Sequence, residues 1–572
     1  MVLTRRVAAG CAAVAMLGLS PASGTTPIAR WDVVPLQCFA STFKPGVIAF
    51  HEAGVSVTFS INGNPRGTVT APSYNDQTRV VEYWMALDPS AFPDGPVRIV
   101  ADVVPGGAGH TTRRLDTLVL YANSGGTLTN TTIKWADCVS GDDANGHDGS
   151  EALPYRTIRK AFQAVGAGGT VYLKAGTAYD IAAGTGSYPS YQYWTTIRPA
   201  PGVTREQVSV KPNRTDNGMM RYKGFSVRTT PDWGSVFYGG MSYNRLWADS
   251  LDISDVDGKL GGGTTSHYAT ITYVTDCYFH DFPGGPGTEL VRNVTIRNIL
   301  EDAVSGANLA VNVLVDGIDP GTSGAHPDVY QLYSGSDTLR NKIVYNLRAY
   351  NVISQGLFNG GTPIEDVAFV NIAIDKDTST VMYTQFDGYL NHVLFWHLTL
   401  HEQTFLWRDA IDARSTFVQN CILQQMSGGS GGAVSGVTFS DNHFTDTSSY
   451  GAGVYGTPFT AGDPRFADPA ADIYRLQSGS PAVASGSVMP CVPADIEGTP
   501  FGASPNKGAY AGVAGAVRGP GAGRAVRGRA VAAVGSDTRL YDLCGRSVQV
   551  TAGVQVFGSG RGAVRRVSVR IK

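Results

Sequence analysis

Residues 344–347 read Val-Tyr-Asn-Leu, and this string returns with small changes as Phe-Val-Asn-Ile at 369–372, Phe-Trp-His-Leu at 395–398 and Val-Gln-Asn-Cys at 418–421. Each copy carries a polar residue, usually Asn or Asp, after two residues and before further apolar positions. The pattern runs from near Asp249 to near Asp441, at unequal intervals of roughly 19 to 29 residues. Its other copies stand at 247–249, 274–277, 296–299, 316–318 (with Gly in the polar position) and 439–442.

This repeat predicts a parallel β-solenoid with loops of unequal length. Each short strand would pair with the coils above and below it, at a spacing of about 4.8 Å. A stacked column of Asn or Asp can hydrogen-bond along the axis and hold each turn, while the apolar positions fill the core. A single coil cannot bury its own apolar face, so the coils are stable only as an array. His397 stands in the polar column and is therefore predicted to be structural.

Composition supports an all-β, turn-rich chain. Of 572 residues, 70 are Gly and only 16% are charged, which is typical of dense turns rather than of helices or disorder. A formal net charge of -2 disfavours a nucleic-acid partner, because such proteins usually present a basic face.

The N-terminus has the pattern of a secretory signal peptide over residues 1–24. Arg5 and Arg6 precede an apolar stretch from Val7 to Leu19, and small residues follow at 21–24. The stretch is too short to span a membrane. We therefore expect a secreted or cell-surface protein with no membrane span.

The cysteines after this signal are widely scattered and form no Cys-x-x-Cys pair, so they do not predict a zinc site. Export permits disulfides, and a bond between Cys38 and Cys138 is one option. Cys277 and Cys421 occupy equivalent repeat positions and are predicted to be buried core residues.

The flanking regions differ from the repeat. Residues 25–125 alternate in polarity and contain Asn-Gly at 62–63 and Asp-Gly at 94–95, which predicts an immunoglobulin-like β-sandwich. Residues 513–535 form a linker rich in Gly, Ala and Arg. Residues 536–572 resemble the C-terminal sorting domains of secreted bacterial surface proteins, which implies attachment to the outer surface through this tail.

Two segments carry a more specific resemblance. Asp-Cys-Val-Ser-Gly-Asp-Asp-Ala-Asn-Gly at 137–146, followed by Pro-Tyr-Arg-Thr-Ile at 154–158, resembles the opening of secreted right-handed parallel β-helix proteins. Asp-Pro-Arg-Phe at 463–466 and Gly-Ser-Pro-Ala at 479–482 are similar to their closing segment. Residues 130–512 thus resemble the pectate-lyase-like superfamily. The resemblance implies a capping helix at 157–165, a first strand at 169–176 and a polysaccharide or glycan ligand. The superfamily contains lyases, hydrolases, epimerases and non-catalytic adhesins, so the fold does not name a reaction.

Candidate site residues follow the polar column. Aligning 301–305 with 327–331 stacks Asp302 on Asp328. His326, Asp328 and Gln331 form a His-x-Asp-x-x-Gln string, which resembles the string on groove strands of several sugar-cleaving β-helix proteins. The remaining residues predicted along this strip are Tyr330, Gln355, Tyr383, Gln385, Trp407 and Arg408.

Three functions fit these residues. A hydrolase would use Asp302 and Asp328 as its carboxyl pair. A lyase of uronate-containing glycans would neutralise the substrate carboxylate with Arg408, Gln331, Gln385 or a calcium ion held by Asp302 and Asp328; His326, Tyr330 or Tyr383 would be the base. We expect a lyase ahead of a hydrolase. The third function is a non-catalytic glycan-binding adhesin, which the scarcity of Lys and Arg along the strip favours.

Overall fold

A computed structural model describes most of the chain. The described residues are 24–128, 132–144, 146–189, 191–211, 219–229, 246–255, 273–321, 326–332, 337–376, 383–407, 411–428, 435–448, 454–514, 540–541 and 547–548. The expected signal peptide, nearly all of the linker and most of the expected sorting tail lie outside these residues. Where the chain is described it is all-β, and no helix there is long and apolar enough to cross a membrane.

The repeat forms a parallel β-solenoid, as predicted. In the described residues one sheet contains 26 strands, which pair in parallel with strands of neighbouring coils. Its strands are Ile133–Ala136, Thr170–Leu173, Gly176–Asp180, Thr195–Pro199, Val208–Lys211, Met220–Lys223, Ser226–Thr229, Leu246–Asp249, Asp252–Asp255, Tyr273–Thr275, Tyr278–Phe282, Leu290–Ile299, Val304–Ser305, Leu309–Ile318, Asp328–Gln331, Leu339–Val352, Gln355–Phe358, Ile364–Lys376, Tyr383–Phe386, Tyr389–Trp407, Asp412–Arg414, Thr416–Gln419, Ile422–Gly428, Val437–Ser440, Asn442–Phe444 and Phe459–Ala461.

A short helix, Ile158–Val165, closes the first coil where the resemblance implies it. Thr157 is its N-cap, and the Thr157 side chain accepts a hydrogen bond from the amide of Lys160. The apolar face of the helix is buried in the solenoid core through Ile158, Ala161, Phe162 and Val165. The helix therefore shields the open end of the stack.

Left-handed corners joined by side chains hold the coils in register. Asn312 donates to Asn293 at 3.0 Å, Asn346 donates to Asn312 at 3.1 Å, and Asn371 donates to Asn346 at 3.1 Å. All four residues have φ between 52° and 56°, a conformation that Asn tolerates better than most residues. The predicted column therefore exists as a hydrogen-bonded ladder.

The ladder corrects two coils of the sequence alignment. The alignment places Asn298 and Gly317 in the column, but strand pairing puts Asn293 and Asn312 there. These coils turn twice within a few residues, and a left-handed residue stands at both corners. Spacing alone does not distinguish the corners. In the coil at 247–249 the alignment is wrong by one residue. Asp249 pairs with Thr275 inside the strand, and the adjacent Ser250 forms the corner.

His397 takes the place of Asn in the same column. Its φ is 54° and its side chain is buried. Nε2 accepts from the Asn420 amide at 3.2 Å, so Nδ1 carries the proton and donates to the Gly508 carbonyl at 3.1 Å. These contacts support the structural role expected for His397.

The N-terminal region forms two sheets around a shared apolar core, in agreement with the predicted sandwich. One sheet has the order Ile28–Trp31, Gly46–Phe50, Val80–Trp84 and Ser73–Asn75. The other contains Cys38–Phe39, Leu118–Ala122, Gly95–Pro105, Val55–Ile61 and Asn64–Val69, with Arg113–Arg114 beside Gly95–Pro105.

The sandwich packs on one outer face of the solenoid. Alternate residues of the solenoid strands face inward, and the residues between them join the core of the sandwich. The amide nitrogen of Ala29 donates to Asn341 at 3.0 Å, and Asn341 donates back to the Ala29 carbonyl at 2.9 Å. Arg292 of the solenoid forms a buried ion pair with Asp32 of the sandwich at 2.8 Å. The two parts are therefore joined by apolar, hydrogen-bonded and charged contacts.

After Phe459–Ala461 the chain returns along the side of the solenoid. Its strands Phe466–Asp468, Ile473–Gln477 and Val513–Ala514 form a small separate sheet. Asn371 donates to the Ala494 carbonyl at 2.9 Å, and Asn420 donates to the Ser487 carbonyl at 2.7 Å. The returning segment therefore covers the Asn corner of the solenoid. Three short 3-10 helices (Pro89–Ala91, Arg205–Gln207, Pro469–Ala471) and a strand pair (Leu540–Tyr541, Ser547–Val548) complete the described elements.

The five cysteines in the described part of the chain are free thiols. Cys38 and Cys138 are therefore not bonded to each other. Cys277 and Cys421 are 2% and 0% exposed, so both are core residues as predicted.

We expect Asn371→Ala to lower the free energy of unfolding by about 2–4 kcal/mol. The change removes buried hydrogen bonds and forces a left-handed φ on alanine. Asn371→Gly, which restores the backbone freedom, should lose less. Urea denaturation measures both. Asn351→Ala is the control, because Asn351 is exposed and has nearly the same φ of 54°. Equal losses in Asn371→Ala and Asn351→Ala would contradict a stabilising role for the buried ladder.

Candidate functional site

The structure brings three of the predicted polar residues together on consecutive coils. Asp328 lies opposite Gln355 in the parallel ladder. Val304 pairs with Tyr330 in the preceding coil, which places Asp302 below Asp328. The Asp302 Oδ1 atom accepts a hydrogen bond from the Asp328 amide at 2.9 Å. The predicted stacking of Asp302 on Asp328 is thus present in the structure.

Both carboxyl groups are withdrawn from water, because Asp302 is 4% exposed and Asp328 is 1% exposed. Burial, with a smaller contribution from Glu301, raises the pKa of Asp302 to about 6. Burial and the neighbouring charge of Asp302 raise the pKa of Asp328 to about 9. At pH 7 the Asp328 carboxyl is therefore mainly neutral and the Asp302 carboxyl mainly ionised.

Hydrogen bonding in the cluster is incomplete. Gln331 Nε2 donates to Asp328 Oδ2 at 3.0 Å. Asp328 Oδ1 and Gln355 Oε1 are buried and have no hydrogen-bond partner among the described residues. Buried acceptors of this kind are uncommon in folded proteins and need a donor or a cation. A proton on Asp328 or a hydroxyl group of a ligand would supply such a donor.

The other predicted polar residues are spread over a wider area. His326 is exposed, two residues before Asp328. Gln385 is buried and pairs with Phe358, which itself pairs with Gln331, so the two glutamines are two coils apart. Tyr383 is half-buried at the start of its strand. Arg408, the expected cation, lies outside the described residues.

Tyr330 and Trp407 are core residues. Tyr330 is fully buried, and its hydroxyl donates to the Ala307 carbonyl at 2.5 Å. Trp407 is 1% exposed and packs beside the rings of Phe386 and Phe405. Both residues lie with the inward-facing apolar set of their strands, and the residue types alone did not distinguish this side from the groove. Neither position offers a surface to a sugar.

A separate cleft of about 720 Å³ lies where the returning C-terminal segment meets the solenoid. His401 and Glu402 line it together with Arg465 and Phe466, whereas Asp302 and Asp328 do not. The His401 ring is held by Asp375, at 2.7 Å from Nδ1 to Oδ1. His401 and Glu402 therefore do not join the Asp302–Asp328 cluster.

The described residues meet only part of calcium's requirements. Calcium takes six to eight oxygen ligands. Asp328 Oδ1 and Gln355 Oε1 are the unpartnered buried oxygens here, and Asp302 Oδ1 already accepts from a backbone amide. Asp302 and Asp328 would thus hold an ion together with Gln355 and ligands from outside this cluster. Calcium stays a prediction.

One group of three possible metal ligands occurs in the described residues, and no sequence pattern predicts it. It consists of His51, Glu52 and His392 at the contact between sandwich and solenoid. His392 lies far from the other two along the chain, and no spacing motif links them. Only the docking of the two domains brings them together.

We expect Asp328 to make folding stability depend on pH. Its pKa is raised in the folded state, so its stabilising contribution is complete at low pH and is lost as pH rises towards about 9. Asp328→Asn, which imitates the neutral carboxyl, should therefore gain stability relative to wild type between pH 5 and pH 8, by at most about 1.4 kcal/mol per pH unit. Urea denaturation at both pH values measures this gain, with exposed Asp412→Asn as the control. Parallel pH profiles for wild type and Asp328→Asn would contradict the raised pKa.

Comparisons with known proteins found no match for this chain. No family model, no curated protein and no solved structure matches the chain.

Proposed function

We propose that this chain is a secreted, polysaccharide-active enzyme of the pectate-lyase-like type that hydrolyses glycosidic bonds with Asp302 and Asp328. The single observation that carries the proposal is the stacking of these two buried residues on neighbouring coils, with Asp302 Oδ1 accepting a hydrogen bond from the Asp328 backbone amide. Glycoside hydrolases work with such a pair, one carboxyl as acid and the other as base or nucleophile.

The two environments suggest which residue takes which role. Asp328, with the higher pKa, would protonate the leaving oxygen of the glycosidic bond. Asp302, with the lower pKa, would act as the nucleophile. Neighbouring coils are about 4.8 Å apart, which is close to the carboxyl separation of about 5–5.5 Å in retaining enzymes. Retention of the anomeric configuration is therefore the expected stereochemistry.

Amide groups beside the pair are suited to bind sugar hydroxyls. Gln355 Oε1 would accept a hydrogen bond from a sugar hydroxyl. Gln331 Nε2, which now donates to Asp328, would donate to a sugar oxygen instead. Gln385 and Tyr383 lie on the next coil and would extend the contact along the polysaccharide. Hydrolysis is preferred to uronate lysis because the described polar neighbours of Asp328 are carboxyls and amides rather than cations. His326 remains the candidate base for a lyase.

A second candidate, a non-catalytic glycan-binding surface protein, is favoured by one observation. Asp302 and Asp328 are nearly inaccessible, and Asp302 caps the amide of Asp328 as a structural corner residue would. Secretion through the N-terminal signal and surface attachment through residues 536–572 belong to both candidates.

Activity of the purified chain on a panel of neutral and acidic polysaccharides tests the proposal. We expect new reducing ends without the ultraviolet absorbance of an unsaturated uronate. Asp302→Asn and Asp328→Asn should each lower the rate at least about 100-fold. Asp412→Asn, an exposed change of the same kind, should keep full activity. Reducing ends together with the absorbance would indicate a lyase, and glycan binding without cleavage would indicate the surface protein.

The pH dependence of hydrolysis offers an independent check. Catalysis requires Asp302 ionised and Asp328 protonated, so kcat/KM should rise through a pKa of about 6 and fall through a pKa of about 9. These limbs belong to the interacting pair rather than to either residue alone. A rate that keeps rising above pH 10 would exclude Asp328 as the acid.

A further inference from the structure

Three imidazole rings from distant parts of the chain meet where the sandwich contacts the solenoid. His51 follows the strand Gly46–Phe50, His110 belongs to a later part of the sandwich, and His392 stands at a left-handed corner of the solenoid. The His51 ring centre lies 4.5 Å from that of His110 and 5.5 Å from that of His392. Glu52 joins them, and the ligand atoms of His51, Glu52 and His392 all lie within 4.8 Å of one another.

The distances among these atoms suit a small divalent ion. Glu52 Oε2 lies 3.0 Å from His392 Nε2 and 3.6 Å from His51 Nδ1. A tetrahedral zinc ion with bonds of about 2.0–2.1 Å places its ligand atoms about 3.4 Å apart. Two imidazole nitrogens and one carboxylate oxygen form a donor set that zinc accepts, whereas calcium and magnesium prefer oxygen alone.

The remaining polar atom of each ligand already has a hydrogen-bond partner. His392 Nδ1 contacts Asp366 Oδ1 at 2.7 Å. His51 Nε2 lies 2.9 Å from the hydroxyl of Thr25, and this hydroxyl donates to Glu52 Oε1 at 2.6 Å. Partners of this type fix the orientation of metal ligands, and a carboxylate behind a histidine is the commonest arrangement. The site is therefore oriented before an ion arrives.

Two contacts would change on binding. His392 Nε2 is hydrogen-bonded to Glu52 Oε2 at 3.0 Å, and bonds from both atoms to the ion would replace this hydrogen bond. The Ala53 amide donates to His51 Nδ1 at 3.1 Å, and an ion would take over that lone pair. Entry is provided by the Glu52 side chain, which is 21% exposed, whereas the His51 and His392 side chains are 0% and 2% exposed.

We propose that His51, Glu52 and His392 bind one Zn²⁺ ion, with water as the fourth ligand, and thereby fasten the sandwich to the solenoid. The site does not involve Asp302 or Asp328 and is independent of the proposed hydrolysis. Its ligands come from both parts of the molecule, so the ion would be bound only when the two are docked.

The test uses the full, untagged chain, stripped with EDTA and then titrated with Zn²⁺ in a calorimeter. We expect one equivalent to bind, and cobalt substitution should give a visible tetrahedral spectrum. Glu52→Gln and His392→Gln should each weaken zinc at least about 10-fold, and Asp366→Asn about 10–100-fold. His401→Gln is the matched control, because its ring lies on the same strand and is also held by a carboxylate, at 2.7 Å from Asp375.

Circular dichroism distinguishes a loss of zinc binding from a loss of folding if His392→Gln fails to fold. Glu52 is partly exposed, so Glu52→Gln is expected to keep the native spectrum and to test the site by itself. Unchanged zinc affinity in folded Glu52→Gln would overturn the proposal, as would the absence of stoichiometric binding by wild type. Loss of binding in Glu52→Gln with retention in His401→Gln would support it.

Discussion

The solenoid, and with it the candidate site, depends on the left-handed corners at which the coils turn. A parallel coil keeps its register only if each turn ends at the same height, and a ladder of side-chain amides from Asn293 to Asn371 fixes that height. The same register stacks Asp302, Asp328 and Gln355 on successive coils. The candidate site is therefore a direct product of coil stacking, since these residues belong to different turns of the chain.

The sandwich buries part of the outer face of the solenoid sheet. The solenoid strands alternate between the inner core and a second apolar set that faces the sandwich, so both faces of this part of the sheet are buried. A strand buried on both faces reads as a nearly continuous apolar run, as at 343–347. The apolar residues on both sides of each polar position therefore reflect two interfaces, the solenoid core and the contact with the sandwich.

Sequence reasoning found what repeats locally and failed where two positions look alike. The solenoid and the stacking of Asp302 on Asp328 follow from the repeat, whereas the helix at 158–165 was implied by the resemblance of the segment before it. Asn293 and Asn298 are both corner residues in one coil, and only strand pairing assigns them to different columns. Tyr330 and Trp407 are predicted along the same strip as Asp328, although both belong to the inner core. Side chains along a strand alternate between the inner and outer faces. A shift of one residue in the alignment therefore places a side chain on the wrong face.

Residues that depend on domain docking carry no signal in a single sequence. His51 and His392 each look like isolated histidines, and the latter occupies a corner position where Asn or Asp is usual. A corner needs only a left-handed conformation and a hydrogen bond. His392 has the left-handed conformation, and Asp366, one coil earlier, supplies the hydrogen bond to its ring. The two preceding coils carry Asn341 and Asp366 at this corner, so a left-handed corner does not by itself call for an imidazole. The second nitrogen of the His392 ring instead contacts Glu52 of the sandwich, which makes this corner the place where solenoid geometry and domain contact meet.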